Sequence, residues 1–183
     1  MVRRPVNIAV LTVSDTRTPE TDTSGALLVE RLTSVGHRLA DRCLLPDDIA
    51  GLRWQLERWI AEPSVEVVLI TGGTGLTGRD VTADVVDALA EKHIPGFGEL
   101  FRWLSFAEIG TSTIQSRATA CLVRRTLLFA LPGSTGACRT AWDQILVHQL
   151  DIDHRPCNLV ELMARFEEGP STPQVKAAQD SAP

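Results

Sequence analysis

No stretch of this sequence is long and apolar enough to cross a membrane. The longest apolar run near the amino end, Val6 to Val13, is interrupted by Asn7 and Thr12. A membrane helix needs about 20 apolar residues, and the run is also too short for a signal-peptide core. Paired cysteines are missing too. Cys43, Cys121, Cys138 and Cys157 are widely spaced, with no C-x-x-C and no histidine at zinc-finger spacing, so the expectation is reduced, mostly buried thiols in a cytoplasmic protein. A basic excess is lacking: the net charge is −5 and the pI about 5.4. That argues against broad nucleic-acid binding or adhesion to anionic membranes, both of which need a basic face, so any anionic ligand must be held locally. There is no persuasive Ser-His-Asp or Cys-His constellation and no internal repeat. His37, His93, His148 and His154 share no motif and are expected at the surface or at helix ends.

What is present suits one globular domain. With 183 residues and 44% hydrophobic content, the chain can fill a single core. Residues 1–166 are assigned to this domain. From Glu167 onward the sequence is small and polar and cannot supply a core, so 167–183 is expected to be a disordered tail.

Strand and helix patterns alternate along the domain. Val6–Val13 reads as a mostly buried strand that exits near Ser14, and Asp22-Thr23-Ser24-Gly25 offers capping oxygens to a helix over Ser24–Val35. Arg38–Leu45 is a second strand; Ile49, Leu52, Leu56, Trp59 and Ile60 then share one helix face. Glu66–Thr71 is almost wholly apolar, as in a central parallel strand covered on both faces, and Val81, Val85, Ala88 and Leu89 form the next helix stripe. Phe97–Phe106 reads as a further helix. Ala118–Val123 and Thr126–Leu131, separated only by Arg124-Arg125, read as a tight hairpin that makes one strand antiparallel. A second glycine-bearing turn, Pro132-Gly133-Ser134-Thr135-Gly136, leads into a helix carrying Ala141, Trp142, Ile145, Leu146 and Leu150. The predicted fold is a three-layer α/β/α domain with a mixed, mostly parallel central sheet. Trp54, Trp59, Trp103 and Trp142 are read as core or interface anchors.

The run Leu69-Ile70-Thr71-Gly72-Gly73-Thr74-Gly75-Leu76-Thr77-Gly78-Arg79-Asp80 is the predicted active site, because glycines at this density let backbone N–H groups approach a phosphate. Gly73-x-Gly75-x-x-Gly78 satisfies dinucleotide-binding spacing, but that fingerprint expects an acidic residue at a strand end about 20 positions on, where the region around Glu99 reads as helix. Gly73-x-x-x-x-Gly78 also fits a P-loop, yet Arg79-Asp80 stands where Lys and Ser or Thr are needed. Asp80 has two readings: capping of the next helix with Thr77, since Thr-x-x-Asp resembles a capping box, or binding of magnesium. Asp47 has the parallel option of capping the helix over Ile49–Glu62. Arg79, Arg117 and Arg139 are available to hold phosphate or to form surface or subunit ion pairs.

Several separated blocks in order resemble the MoaB/MogA family of molybdenum cofactor biosynthesis: Thr71-Gly72-Gly73-Thr74-Gly75, Asp80-Val81-Thr82, Pro95-Gly96-Phe97-Gly98-Glu99, Phe101-Arg102, Ser105 and Pro132-Gly133-Ser134. The similarity extends over roughly Val6 to Asn158. Gly110-Thr111-Ser112-Thr113, Gln115-Ser116-Arg117, Ala137-Cys138-Arg139-Thr140-Ala141-Trp142 and Arg155-Pro156-Cys157-Asn158 resemble the MoaB branch.

The resemblance implies a molybdopterin-binding domain over residues 1–166 and, in active members, a magnesium- and ATP-dependent adenylyltransferase that makes adenylyl-molybdopterin and pyrophosphate. Asp47 and Asp80 match the two acidic positions associated with catalysis and would hold the magnesium. Thr71, Gly72, Gly73, Thr74, Gly75, Thr82, Gly133 and Ser134 would form the substrate and nucleotide pocket, with Ser14 and Asp15 near the nucleotide. Some MoaB-branch proteins lack the acidic motif at the first position and are thought not to adenylylate; Pro46-Asp47-Asp48 is intact here, with Asp48 where Glu is commoner. The resemblance further implies a homotrimer or homohexamer and hand-over of product to a molybdenum-inserting protein; from the acidic net charge, no nucleic-acid or membrane partner is expected. Two alternatives are a non-catalytic molybdopterin-binding or carrier protein and a nicotinamide-binding oxidoreductase.

Overall fold

The computed structural model describes residues 1–168; all of the expected tail except Glu167 and Glu168 lies outside the described residues. Six strands form one sheet: β1 (Asn7–Val13), β2 (Arg38–Leu45), β3 (Val67–Thr71), β4 (Lys92–His93), β5 (Thr119–Val123) and β6 (Thr126–Leu131). Their order is β2-β1-β3-β6-β5-β4. The first four in this order run parallel, while β5 is antiparallel to β6 and β4 is antiparallel to β5. The hairpin read from Arg124-Arg125 is therefore present, and the sheet is mixed and mostly parallel.

The two faces of β1 show why three layers form. Ile8 and Val10 pack with Leu28 and Leu32 of α1 (Thr23–Val35) and with the helices from the second half of the chain. Ala9, Leu11 and Val13 point the other way, toward Leu52, Leu56 and Trp59 of α2 (Ile49–Ala61) and Val85 and Val86 of α3 (Thr82–Leu89). Successive side chains of a strand face opposite sides, so a fully apolar strand such as β3 must be covered on both. Each large aliphatic side chain so buried contributes about 1.5–3 kcal/mol relative to exposure.

On the α1 side lie α4 (Pro95–Ile109), α5 (Thr135–Ala141), a π-helical turn over Trp142–Leu146, α6 (Val147–Gln149) and α7 (Leu159–Met163). A 3₁₀ turn, Gly110–Gln115, follows α4. Helix α4 starts at Pro95, two residues before the predicted Phe97, as suits a proline in a first helical turn. Strand β4 was not read from sequence: it has two residues, both exposed, so neither length nor alternation could signal it.

Two expectations carried alternatives that the structure narrows. His37 takes the helix-end position, one residue beyond the C-cap Gly36 of α1, and is buried there, only 4% exposed; its Nδ1 accepts a hydrogen bond from the Val6 N–H, and its ring meets Trp142 edge-on. Trp59 and Trp142 are core residues, while Trp54 and Trp103 are exposed, which keeps the interface reading for these two. No helix among the described residues is long and apolar enough to cross a membrane.

Candidate active site

The chain runs from β1 out to β2 on one side and then returns to place β3 on the other side of β1. Loops leaving the C-terminal ends of β1 and β3 therefore diverge to opposite faces and open a crevice, the usual ligand position in such sheets. A cavity of about 560 Å³ lies there, lined by the ends of β1, β3 and β6: Val13 and Ser14, Thr71 to Gly75, and Pro132 to Ser134.

The first glycine turn is shaped by contacts that exclude a side chain. Gly72 has φ 108°, and a Cβ there would meet the Val13 carbonyl oxygen at 2.0 Å. Gly73 has φ 63°, and its Cβ would stand 2.4 Å from Thr82 Oγ1 and 2.8 Å from Asp47 Oδ1. These glycines let β3 turn against β1 and let two side chains approach the backbone. The Gly72 N–H donates to Leu131 O, and the Thr71 hydroxyl donates to Pro132 O (3.0 Å for each), tying the first turn to the second. Thr71 also contacts Cys138 Sγ; burial pushes that thiol up to about 11, so it is protonated and unsuited to nucleophilic attack.

The acidic residues divide their work in a way the sequence left open. Asp48, not Asp47, caps α2: its carboxylate accepts from the Gly51 N–H at 2.6 Å. Asp47 is thereby released to face the cavity, and among the described residues no donor bonds its carboxylate. Burial raises its affinity for a proton, and the nearby carboxylates of Asp15 and Asp80 raise it further, against an opposing contribution from Arg79. Asp80 does not cap α3 either, whose N-cap position is Val81, without a side-chain bond. Its Oδ2 instead accepts from the Thr77 hydroxyl at 2.6 Å and the Thr77 N–H at 2.9 Å. The Thr77 hydroxyl is the foremost reason its carboxyl titrates below the usual range, aided by the Thr77 and Gly75 N–H groups and Arg117. The two carboxylates are thus driven in opposite directions.

Arg79 and Arg117 take the second of the two roles left open for them and form ion pairs. Arg79 pairs with Asp15, whose other oxygen accepts from the Asp47 N–H at 3.2 Å. Arg117 braces the glycine turn, donating to the carbonyls of Gly75 and Asp80 and to the Asp84 carboxylate. Arg139 lies outside the cavity lining. Arg17, which the sequence did not single out, is the only lysine or arginine lining the cavity among the described residues. It donates to Ser24 Oγ at 2.7 Å and to Gly133 O at 2.9 Å, and Ser24 Oγ donates to the same carbonyl. Glu108 of α4 completes the charged lining; its Oε1 accepts from the Thr140 hydroxyl at 2.8 Å.

Residues 9–152 match the family described as a probable molybdopterin binding domain. The Molybdenum cofactor biosynthesis protein B of Escherichia coli (strain K12) is 51% identical over 154 residues, covering 84% of this chain and 91% of that protein. The chain belongs to the MoaB/MogA family, in its MoaB branch. The protein of the same name from Staphylococcus carnosus (strain TM300) is 46% identical over 81% of this chain and 88% of its own. A crystal structure of Molybdenum cofactor biosynthesis protein B superposes with a TM-score of 0.82 at 37% identity, covering 92% of this chain and all of the other.

Of the residues that the MoaB/MogA resemblance singled out, Ser14, Asp47, Thr71, Gly72, Gly73, Thr74, Gly75, Asp80, Gly133 and Ser134 line the one cavity. Asp15 and Thr82 do not. Asp15 sits behind, fixed by Arg79 and the Asp47 N–H. Thr82 is fully buried under Gly73, with its hydroxyl oxygen lacking any hydrogen-bond partner among the described residues. Glu99 lies within α4, so the acidic strand end that a dinucleotide fingerprint requires is not there. No group of three or more His, Cys, Asp or Glu side chains that could hold a metal occurs among the described residues. The oxygen donors still suit magnesium, which takes one or two carboxylates and fills its remaining positions with water and substrate phosphate. Asp47 without a donor and the nearby Asp80 form such a partial set.

Proposed function

We propose that the chain adenylylates molybdopterin, consuming ATP in the presence of magnesium and releasing pyrophosphate. The supporting observation is that Asp47, relieved of capping by Asp48, stands against Gly73 in the same cavity as Asp80 and both glycine turns. In this reading an oxygen of the molybdopterin phosphate attacks the α-phosphorus of ATP, the bond from that phosphorus to the β-phosphate bridging oxygen breaks, and pyrophosphate leaves. The substrate itself is the nucleophile, which agrees with the protonated Cys138 and the absence of an activated serine among the lining residues. Among the described residues three carboxylates, Asp47, Asp80 and Glu108, face the cavity against the single cation Arg17, a balance that would repel two phosphate-bearing substrates. Magnesium, when bound, would neutralise charge on the phosphates. Asp47 and Asp80 would hold it. Arg17, fixed by Ser24 and Gly133, would offer positive charge from the opposite side. Backbone N–H groups of Gly73 and Thr74 and of Gly133 and Ser134 would orient the reacting phosphates, so that most of the acceleration comes from positioning and electrostatics.

The same reading includes assembly and hand-over. Leu100, Trp103, Phe106, Ile109 and Ile114, on α4 and the turn after it, are exposed apolar side chains, which supports a homotrimer or homohexamer; light scattering of the purified chain tests this. The product would pass to a molybdenum-inserting protein. The activity is tested by mixing the purified chain with molybdopterin, ATP and magnesium and following pyrophosphate. Asp80→Asn should slow release about a hundredfold or more without unfolding the protein. Molybdopterin binding with no pyrophosphate release by folded wild-type chain would reduce the function to binding or carriage.

A further inference from the structure

We infer that Glu108 reads the 2-amino-4-oxo-pyrimidine edge of the bound pterin, making the α4 side of the cavity its heterocycle-recognition wall. This rests on the function proposed above and adds which residue selects the ring. The phosphate-bearing ends of the substrates have the glycine turns, Asp47, Asp80 and Arg17. The opposite wall, built by α4, the 3₁₀ turn and α5, carries no cation among the described residues and so is unsuited to a phosphate. It is rich in polar side chains, and three of its hydroxyls are already committed. Ser105 donates to Phe101 O at 2.8 Å, Thr113 to Arg102 O at 3.1 Å, and Thr140 to Glu108 Oε1 at 2.8 Å.

Glu108 differs from these hydroxyls. No donor among the described residues reaches its Oε2, and it forms no ion pair with any of them. Thr140 is 4% exposed, so the hydrogen bond it gives to Oε1 comes from a rigid position and orients the carboxylate. An oriented carboxylate is an acceptor-only group. It therefore selects a ligand that presents two parallel N–H donors, as the ring N3–H and the 2-amino group of a pterin do. The adenine edge offers one donor beside an acceptor nitrogen, which would set lone pair against lone pair. Glu108 thus favours the pterin over adenine at this wall and fixes which end of the cavity each substrate occupies. Guanine carries the same donor pair and is the other ring with this chemistry.

Fluorescence titration of the full chain tests this with 6-hydroxymethylpterin, the lumazine that replaces its 2-amino group by oxygen, and guanosine. Wild-type chain should bind the pterin about tenfold or more tightly than the lumazine, the range of one well-formed donor–acceptor edge pair. In Glu108→Gln the preference should collapse to within about twofold, the loss falling on the pterin, with the melting temperature retained. Equal binding of pterin and lumazine by wild-type chain would overturn the inference. So would an undiminished preference in Glu108→Gln, an equal weakening of both ligands, or no binding of any ligand at millimolar concentration. Tighter binding of guanosine than of the pterin would overturn the pterin assignment. Pyrophosphate release by wild-type chain is a separate readout: release without a Glu108-dependent preference sinks this inference alone, and the preference without release sinks only the catalytic reading.

Discussion

Replacing Asp48 by alanine and Asp47 by asparagine should have opposite consequences, although the two residues are adjacent. Asp48 holds the Gly51 N–H at 2.6 Å at the start of α2, and loss of such a cap costs about 1 kcal/mol, within a range of roughly 0.5–2. In a domain of this size that lowers Tm by about 2–4 °C. The cavity is untouched, so turnover should stay within about twofold. Asp47 has no capping bond to lose. Burial and the facing carboxylates of Asp15 and Asp80 disfavour its charged form, so its ionised state works against the fold at neutral pH. The amide removes that cost, about 0.5 kcal/mol once discounted for solvent screening, and Tm should hold or rise by about 1–2 °C. Turnover should fall about a hundredfold or more, because a metal-organising carboxylate is gone. Calorimetry on both variants, with pyrophosphate release on the same preparations, reads both quantities. If Asp48→Ala loses activity as Asp47→Asn does, or Asp47→Asn is destabilised by a cap-sized amount, the division of roles is wrong.

Two further outcomes follow from the same geometry. Gly72→Ala places a Cβ 2.0 Å from the Val13 carbonyl oxygen at φ 108°. Backbone strain and forced displacement should together cost on the order of 3 kcal/mol, read as a Tm drop of about 6–12 °C; a drop under about 2 °C would show that the turn is not constrained as described. His37 makes stability depend on pH, since burial lowers its affinity for a proton below the ordinary value of 6.5, against opposing contributions from Asp151 and Glu66, and its Nδ1 must stay unprotonated to accept from Val6 N–H. The unfolded chain then binds the proton first, so this stability is complete above about pH 6.5 and is lost as pH falls through the lower folded-state value. Melting curves between pH 7.5 and 5.5 should show a steeper loss for wild type than for His37→Gln, and equal slopes would remove His37 from the account.

The sheet was legible wherever burial on both faces left a continuous apolar run, as in Glu66–Thr71 and Thr126–Leu131, and wherever a two-residue turn such as Arg124-Arg125 left no room for a crossover. Strand β4 was not, because two exposed residues carry no period. Within Pro46-Asp47-Asp48 the sequence placed an acid at the strand–helix junction but could not say which of two adjacent aspartates capped, since a shift of one residue decides it. Asp80 misled in the same way: Thr-x-x-Asp matches a capping box, yet the carboxylate turns back onto Thr77 outside the helix. Arg17 and Glu108 were illegible for another reason. Each is an ordinary charged residue in a polar or amphipathic stretch, and each reaches the cavity only because the loops after β1 and β6, or the helices α4 and α5, meet in three dimensions. The family blocks directed attention to the glycine turns and the two aspartates but not to these two partners.

The most direct test of the central claim is a single-turnover reaction of the folded chain with molybdopterin, magnesium and ATP labelled at the α-phosphate. The account predicts that label appears in adenylyl-molybdopterin in step with an equal amount of pyrophosphate, and that Asp47→Asn slows both together by about a hundredfold or more while still binding molybdopterin. Transfer at an undiminished rate in Asp47→Asn, or no labelled product from correctly folded wild-type chain, would contradict it.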